Sequence, residues 1–139
     1  MQLIKNVGGV EYINDSASTN INHLWNSLTH FTNGKTVTLI KQKNPREEDY
    51  SILTKDILKK VNSIIIFNDI EASLIHQAKT LKIETPFIKT HNLTEAVEVA
   101  HHISNPGNIV LFSPGCPIFG LFKNYEERGF EFPKIVKKL

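Results

Sequence analysis

The sequence predicts an α/β domain, a Rossmann-like three-layer fold whose mainly parallel sheet of about five to six strands is flanked by helices. Three observations carry that prediction. Short β-branched runs alternate with segments of helical period along the whole chain. The run Ser63-Ile64-Ile65-Ile66-Phe67 is apolar after its first residue, the pattern of a strand covered on both faces. The chain has 139 residues, 40% of them hydrophobic and 22% charged, which suits a single domain over 1–139 with one core.

Val10-Glu11-Tyr12-Ile13 reads as the first parallel strand, and Gln2 to Val7 as a further strand or an edge segment beside it. Ile21, Leu24, Trp25, Leu28 and Phe31 then recur at helical spacing and define one apolar face. Asn33-Gly34 stops that helix, and Thr36-Val37-Thr38-Leu39-Ile40 is the next strand. Leu53, Ile57 and Val61 mark a second helix, which leads into the Ser63–Phe67 strand. A third helix carries Leu74, Ala78 and Leu81, and Pro86-Phe87-Ile88 is a short strand after it. Asn92, with Glu95 three residues on, caps a helix whose apolar positions are Leu93, Ala96, Val97, Ala100 and Ile103. Asn105-Pro106-Gly107 ends it. Asn108-Ile109-Val110-Leu111-Phe112 is the last parallel strand, followed by a loop and a closing helix.

Composition excludes several classes. Sixteen Lys and Arg against fourteen Asp and Glu give a net charge of +2, with no basic stripe of the kind a nucleic-acid partner requires. Lys134, Lys137 and Lys138 read as a solvated last helical turn that suits the helix dipole. No apolar run is long enough for a membrane span. Cys116 has no second cysteine to pair with, and Met1-Gln2-Leu3-Ile4-Lys5 is too short and polar for a signal peptide, so a reducing cytoplasm is expected.

Gly34-Lys35-Thr36 has the ending of a phosphate-binding loop, but Thr29 stands where the motif needs glycine and a strand follows where it needs a helix. Gly8-Gly9 is a turn. His101 and His102 project about 100° apart on their helix and have no partners that complete a metal set; no metal ligand is assigned. Cys116 is expected to be packed rather than nucleophilic.

The loop Asn14-Asp15-Ser16-Ala17-Ser18-Thr19-Asn20 runs from a strand into a helix. The exposed N–H groups of a first helical turn hold anions, and a carboxylate there accepts hydrogen bonds from a sugar hydroxyl. Thr19 or Asn20 is also a natural helix cap. This loop shares the carboxyl side of the sheet with the stretch that follows the last strand, where α/β folds bind ligands.

Read together, NDSASTN at 14–20 and SPGCPIFGLFKNYEERGFEF at 113–132 resemble the C-terminal domain of the Mur ligases, most closely of the D-glutamate-adding members. There the domain opens with N-D-S-K-A-T-N and closes with S-P-A-C-A-S and F-K-N-F-E-Q-R-G-x-x-F. The resemblance implies an ATP-dependent amide ligation in which ATP phosphorylates the carboxylate of a UDP-muramoyl-L-alanine precursor and D-glutamate attacks the acyl phosphate. It also implies that ATP and Mg are held mostly by a central ATPase domain in cis, and the UDP-sugar by an N-terminal one, neither of which lies in this chain. No catalytic residue is then expected here. The C-terminal domain closes over the central one and contributes a nucleotide contact from Asp15, with Thr19 and Asn20 beside it. Alone it is expected to have no activity, and Met1 is expected to be an internal methionine.

This chain also departs from the family pattern. The loop lysine becomes Ala17. A glycine-rich G-G-x-G-K segment aligns with Gln42-Lys43-Asn44-Pro45-Arg46, placing Arg46 where a lysine meets the amino-acid carboxylate. The substrate-contacting serine and its neighbour become Ile118 and Phe119, while the motif aromatic persists as Tyr125. Arg46, Ile118, Phe119 and Tyr125 are thus the amino-acid-side candidates, in a more apolar pocket. Two other readings stand beside this one: a non-catalytic module of the same kind that binds a nucleotide or a partner, and a generic flavodoxin-like binding domain. Asp15, as a loop carboxylate, is expected to matter little to folding.

Overall fold

The computed structural model describes residues 1–31, 37–44, 49–69, 72–118 and 122–139. Its first two strands form a hairpin, β1 (Gln2–Val7) pairing antiparallel with β2 (Val10–Asn14). Gly8 and Gly9 have φ of +58° and +87°, the left-handed conformation that a two-residue turn between right-twisted strands requires. Asn6 Oδ1 accepts from the Gly9 N–H at 3.0 Å and braces the turn.

The chain then runs through α1 (Ile21–Thr29), β3 (Val37–Gln42), a 3-10 turn (Tyr50–Ile52), α2 (Lys55–Leu58), β4 (Val61–Phe67), α3 (Ala72–Thr80), β5 (Phe87–Thr90), α4 (Leu93–Ile103), β6 (Ile109–Phe112) and α5 (Tyr125–Val136). The sheet order is β1-β2-β6-β3-β4-β5, and every pairing beyond the hairpin is parallel. The last strand therefore lies between β2 and β3, with Phe112 beside Asn14 on one side and Ile40 on the other. Strand ends from widely separated parts of the sequence emerge together, and the two candidate loops leave from that junction.

Each buried strand alternates its side chains between two apolar layers. Leu39, Ile64, Ile66, Ile109 and Leu111 pack with Leu24 and Leu28 of α1 and Leu74 of α3. Ile40, Ile65, Phe67, Val110 and Phe112 pack against α4 and α5, including Ala96, Val97, Ala100, Phe132 and Val136. Phe112 stacks on Phe132 at 5.2 Å between ring centroids, fastening α5 to β6. Full burial of one such ring is worth about 2–3 kcal/mol.

Two local expectations are corrected. Leu53, Ile57 and Val61 do not share a helix: α2 is a single turn, and Val61 opens β4 opposite Val37. Pairing of a β-branched run with strands on both sides outweighs an apolar spacing that happens to match a helix. Gln42, aligned with the start of a glycine-rich loop, remains inside β3 and pairs with Phe67. Asn33, Gly34, Lys35, Thr36, Arg46 and Phe119 lie outside the described residues.

Candidate functional site

The first loop begins where the ladder is still intact. The Asp15 N–H donates to the Phe112 carbonyl at 2.8 Å, and the Ser18 N–H closes a turn onto the Asp15 carbonyl at 3.1 Å. Asn20 caps α1, its Oδ1 accepting from the His23 N–H at 2.9 Å. Thr19 folds over that cap, with its N–H donating to His23 Nδ1 at 3.3 Å and its Oγ1 at 3.1 Å from the same nitrogen. Ala17, in place of the family lysine, is an exposed neutral tip.

Asp15 is not the surface carboxylate expected from the sequence. It is 9% exposed, and its Oδ2 accepts from the hydroxyls of both Ser27 on α1 and Ser113 at the end of β6, the latter at 2.8 Å. A carboxylate desolvated to this degree must be hydrogen-bonded to persist, and the two serines meet that need. Both act on one oxygen; among the described residues no protein donor reaches Oδ1. Asp15 therefore ties the helix to the sheet through one of its two oxygens.

The second loop is held by Arg128, whose side chain is fully buried. Its Nη1 donates to the Cys116 carbonyl at 2.8 Å, the Pro117 carbonyl at 3.3 Å and Gln42 Oε1 at 3.2 Å. Its Nη2 donates to the carbonyls of Ser16 at 3.1 Å and Ser18 at 3.3 Å. One guanidinium thus joins the first loop, the end of β3 and the last loop to α5. Among the described residues no carboxylate pairs with it, and burial lowers its pKa from the ordinary value. The planar fork of arginine fits this set of carbonyls, whereas the compact ammonium of a lysine does not.

The surrounding motif serves the same junction. Asn124 caps α5 by accepting from the Glu127 N–H at 2.8 Å. The Asn14 side chain donates to the Gly129 carbonyl at 3.0 Å, and a Cβ on Gly129 would sit 3.3 Å from Ser16 Oγ. The glycine lets the helix approach the loop. Gly115, at φ +63°, lets the last loop lie against Leu24 and the Lys41 stem, 3.1 Å and 3.4 Å from where a Cβ would stand.

The candidates from the sequence divide between two settings. Asp15, Thr19 and Asn20 share the first loop, with Asn20 and Thr19 engaged in capping α1. Tyr125 is 52% exposed, its ring centroid 5.4 Å from the Arg128 guanidinium, so it borders the clamp that holds both loops. Ile118 is half-buried against the apolar layer under α4 and α5. Arg46 and Phe119 are not among the described residues. Cys116 is buried. His101 Nδ1 lies 3.1 Å from the buried Tyr12 hydroxyl. Among the described residues no three His, Cys, Asp or Glu side chains converge on a metal position.

Sequence reasoning missed Ser27, Gln42 and the role of Arg128. Ser27 stands on the buried face of α1 between Leu24 and Leu28, and a polar residue on an apolar stripe is the signal that would have found it.

No family model matches the chain. The chain is 34% identical, over 99% of its length, to part of the UDP-N-acetylmuramoylalanine--D-glutamate ligase of Geobacter sp. (strain M21). It is 36% identical over its full length to part of the enzyme of that name from Porphyromonas gingivalis. It spans about 30% of the length of such relatives. A solved domain assigned to a UDP-N-acetylmuramate:L-alanyl-γ-D-glutamyl-meso-diaminopimelate ligase from Haemophilus ducreyi shares its fold, with a TM-score of 0.56 and 14% identity over 99% of the chain. Fold and motif loops together resemble a Mur ligase domain. More narrowly, the chain is similar over nearly its whole length to the C-terminal region of the D-glutamate-adding Mur ligases.

Proposed function

We propose that this chain is the C-terminal domain of an ATP-dependent ligase that joins D-glutamate to UDP-muramoyl-L-alanine in the cytoplasm, in the synthesis of peptidoglycan precursors. Its partner is a central ATPase domain in cis. Closure of this domain over that one completes the site and excludes water from the activated carboxylate. The observation that carries the reading is the junction itself: the two family motifs, at opposite ends of the chain, are bound together through Arg128.

Asp15 fits a nucleotide contact, because among the described residues no protein donor reaches Oδ1, which can accept from a ribose hydroxyl. Thr19 and Asn20 lie beside it, and Arg46, Ile118, Phe119 and Tyr125 belong to the amino-acid side. As the resemblance implies, the metal is assigned to the central domain, and no catalytic residue is assigned here. The chain alone is expected to be inactive.

The test is a pair of variants in the full-length enzyme. Asp15→Asn should raise the KM for ATP and leave that for D-glutamate nearly unchanged; Arg46→Ala should do the reverse. Equal effects of each variant on both substrates would contradict the division.

A second reading, a non-catalytic module that binds a nucleotide or a partner, draws on the amino-acid side: Ala17 is neutral and exposed, and Ile118 packs into the apolar layer. A full-length protein that binds ATP without D-glutamate-dependent turnover would favour it.

A further inference from the structure

We propose that Ser27 is a positioning residue that sets which oxygen of Asp15 is offered to a ligand; this rests on the reading of Asp15 as a nucleotide contact. Ser27 lies 12 residues beyond Asp15 and, on the buried face of α1, donates its hydroxyl to Oδ2. Ser113 donates to the same oxygen from the end of β6 at 2.8 Å. A carboxylate turns freely about its terminal torsion unless both its partners agree. Here two hydroxyls from opposite sides, one on a helix and one on a strand end, hold Oδ2 inward. Oδ1 is left as the second acceptor of the group, and among the described residues no protein group donates to it. An acceptor held in this way suits a neutral hydroxyl donor on the ligand, such as one hydroxyl of a ribose diol. Without the Ser27 hydroxyl the group keeps a single tether and is free to swing, so the ligand must order it on binding.

The experiment measures equilibrium binding and kinetics of ATP and its 2′-deoxy and 3′-deoxy analogues with the full-length enzyme. Ser27→Ala should weaken ATP binding about five-fold, the worth of one ordinary hydrogen bond, while leaving the KM for D-glutamate unchanged. It should also shrink the handicap of whichever deoxy analogue the unmodified enzyme disfavours. Ser27→Thr, which keeps the hydroxyl, should restore both. Should Ser27→Ala not fold, Ser27→Cys carries the same comparison with a weaker donor. ATP affinity and analogue discrimination unchanged in Ser27→Ala, with Asp15→Asn impaired, would overturn the role of Ser27 and leave the nucleotide reading standing. No ATP binding by the unmodified enzyme would overturn both.

Discussion

Arg128 donates from Nη2 to the carbonyl of Ser16 at 3.1 Å, across a sequence separation of 112 residues. That contact makes the opening and closing motifs one structural unit. Among the described residues, backbone carbonyls and the Gln42 side chain accept from the guanidinium, so its removal strands several buried acceptors at once. Arg128→Lys should lower the unfolding free energy of the chain by about 3 kcal/mol, because a lysine cannot span the same acceptors. Urea denaturation followed by circular dichroism checks this. A change near zero would mean that water replaces the clamp without loss.

Asp15 is similarly placed, and Asp15→Ala leaves the hydroxyls of Ser27 and Ser113 without their acceptor. A loss of about 2 kcal/mol is expected, larger than a surface carboxylate would give. The same denaturation experiment reads it. Asp15→Asn keeps one oxygen acceptor and should lose less.

Most of the fold was legible because burial leaves its mark as periodicity. The Ser63–Phe67 run and the stripe through Ile21, Leu24 and Leu28 have no other economical explanation, and both elements form where expected. The order of strands was not readable from local pattern: nothing near Ile109–Phe112 says that β6 lies between β2 and β3. The resemblance to a known family placed the two loops in one site, but not the bonds within it. Asp15 looked like a loop carboxylate because its partners are 12 and 98 residues away. Val61 was misplaced because apolar spacing does not distinguish a helix from a strand that starts in phase with it.

Phe132 fastens α5 to β6 through its stack on Phe112. Phe132→Ala should destabilise the chain by about 3–5 kcal/mol, and because α5 carries Arg128 the first loop should loosen with it. Hydrogen exchange of the Ser16 and Ser18 amides is the check: faster exchange there is expected, and protection unchanged from the parent chain would uncouple helix from loop.

Tyr12 is buried, and burial raises its pKa above the ordinary value of 10.0. The folded state thus holds the phenolic proton more tightly than the unfolded one. The resulting stability is fully present below pH 10.0 and is lost as pH rises from there through the folded value. Thermal unfolding at neutral and strongly alkaline pH should therefore show a steeper alkaline loss for the parent chain than for Tyr12→Phe. Identical slopes would contradict the assignment.

If, as proposed, these 139 residues complete a D-glutamate-adding ligase rather than act alone, ATP turnover should require both them and the rest of the protein. The most direct measurement is phosphate release from ATP by the full-length protein, by the same protein lacking this domain, and by the isolated chain, each with and without UDP-muramoyl-L-alanine and D-glutamate. Release is expected from the full-length protein only when both substrates are present, and none from the other two. D-glutamate-independent release by the isolated chain, or full activity after the domain is removed, would contradict it.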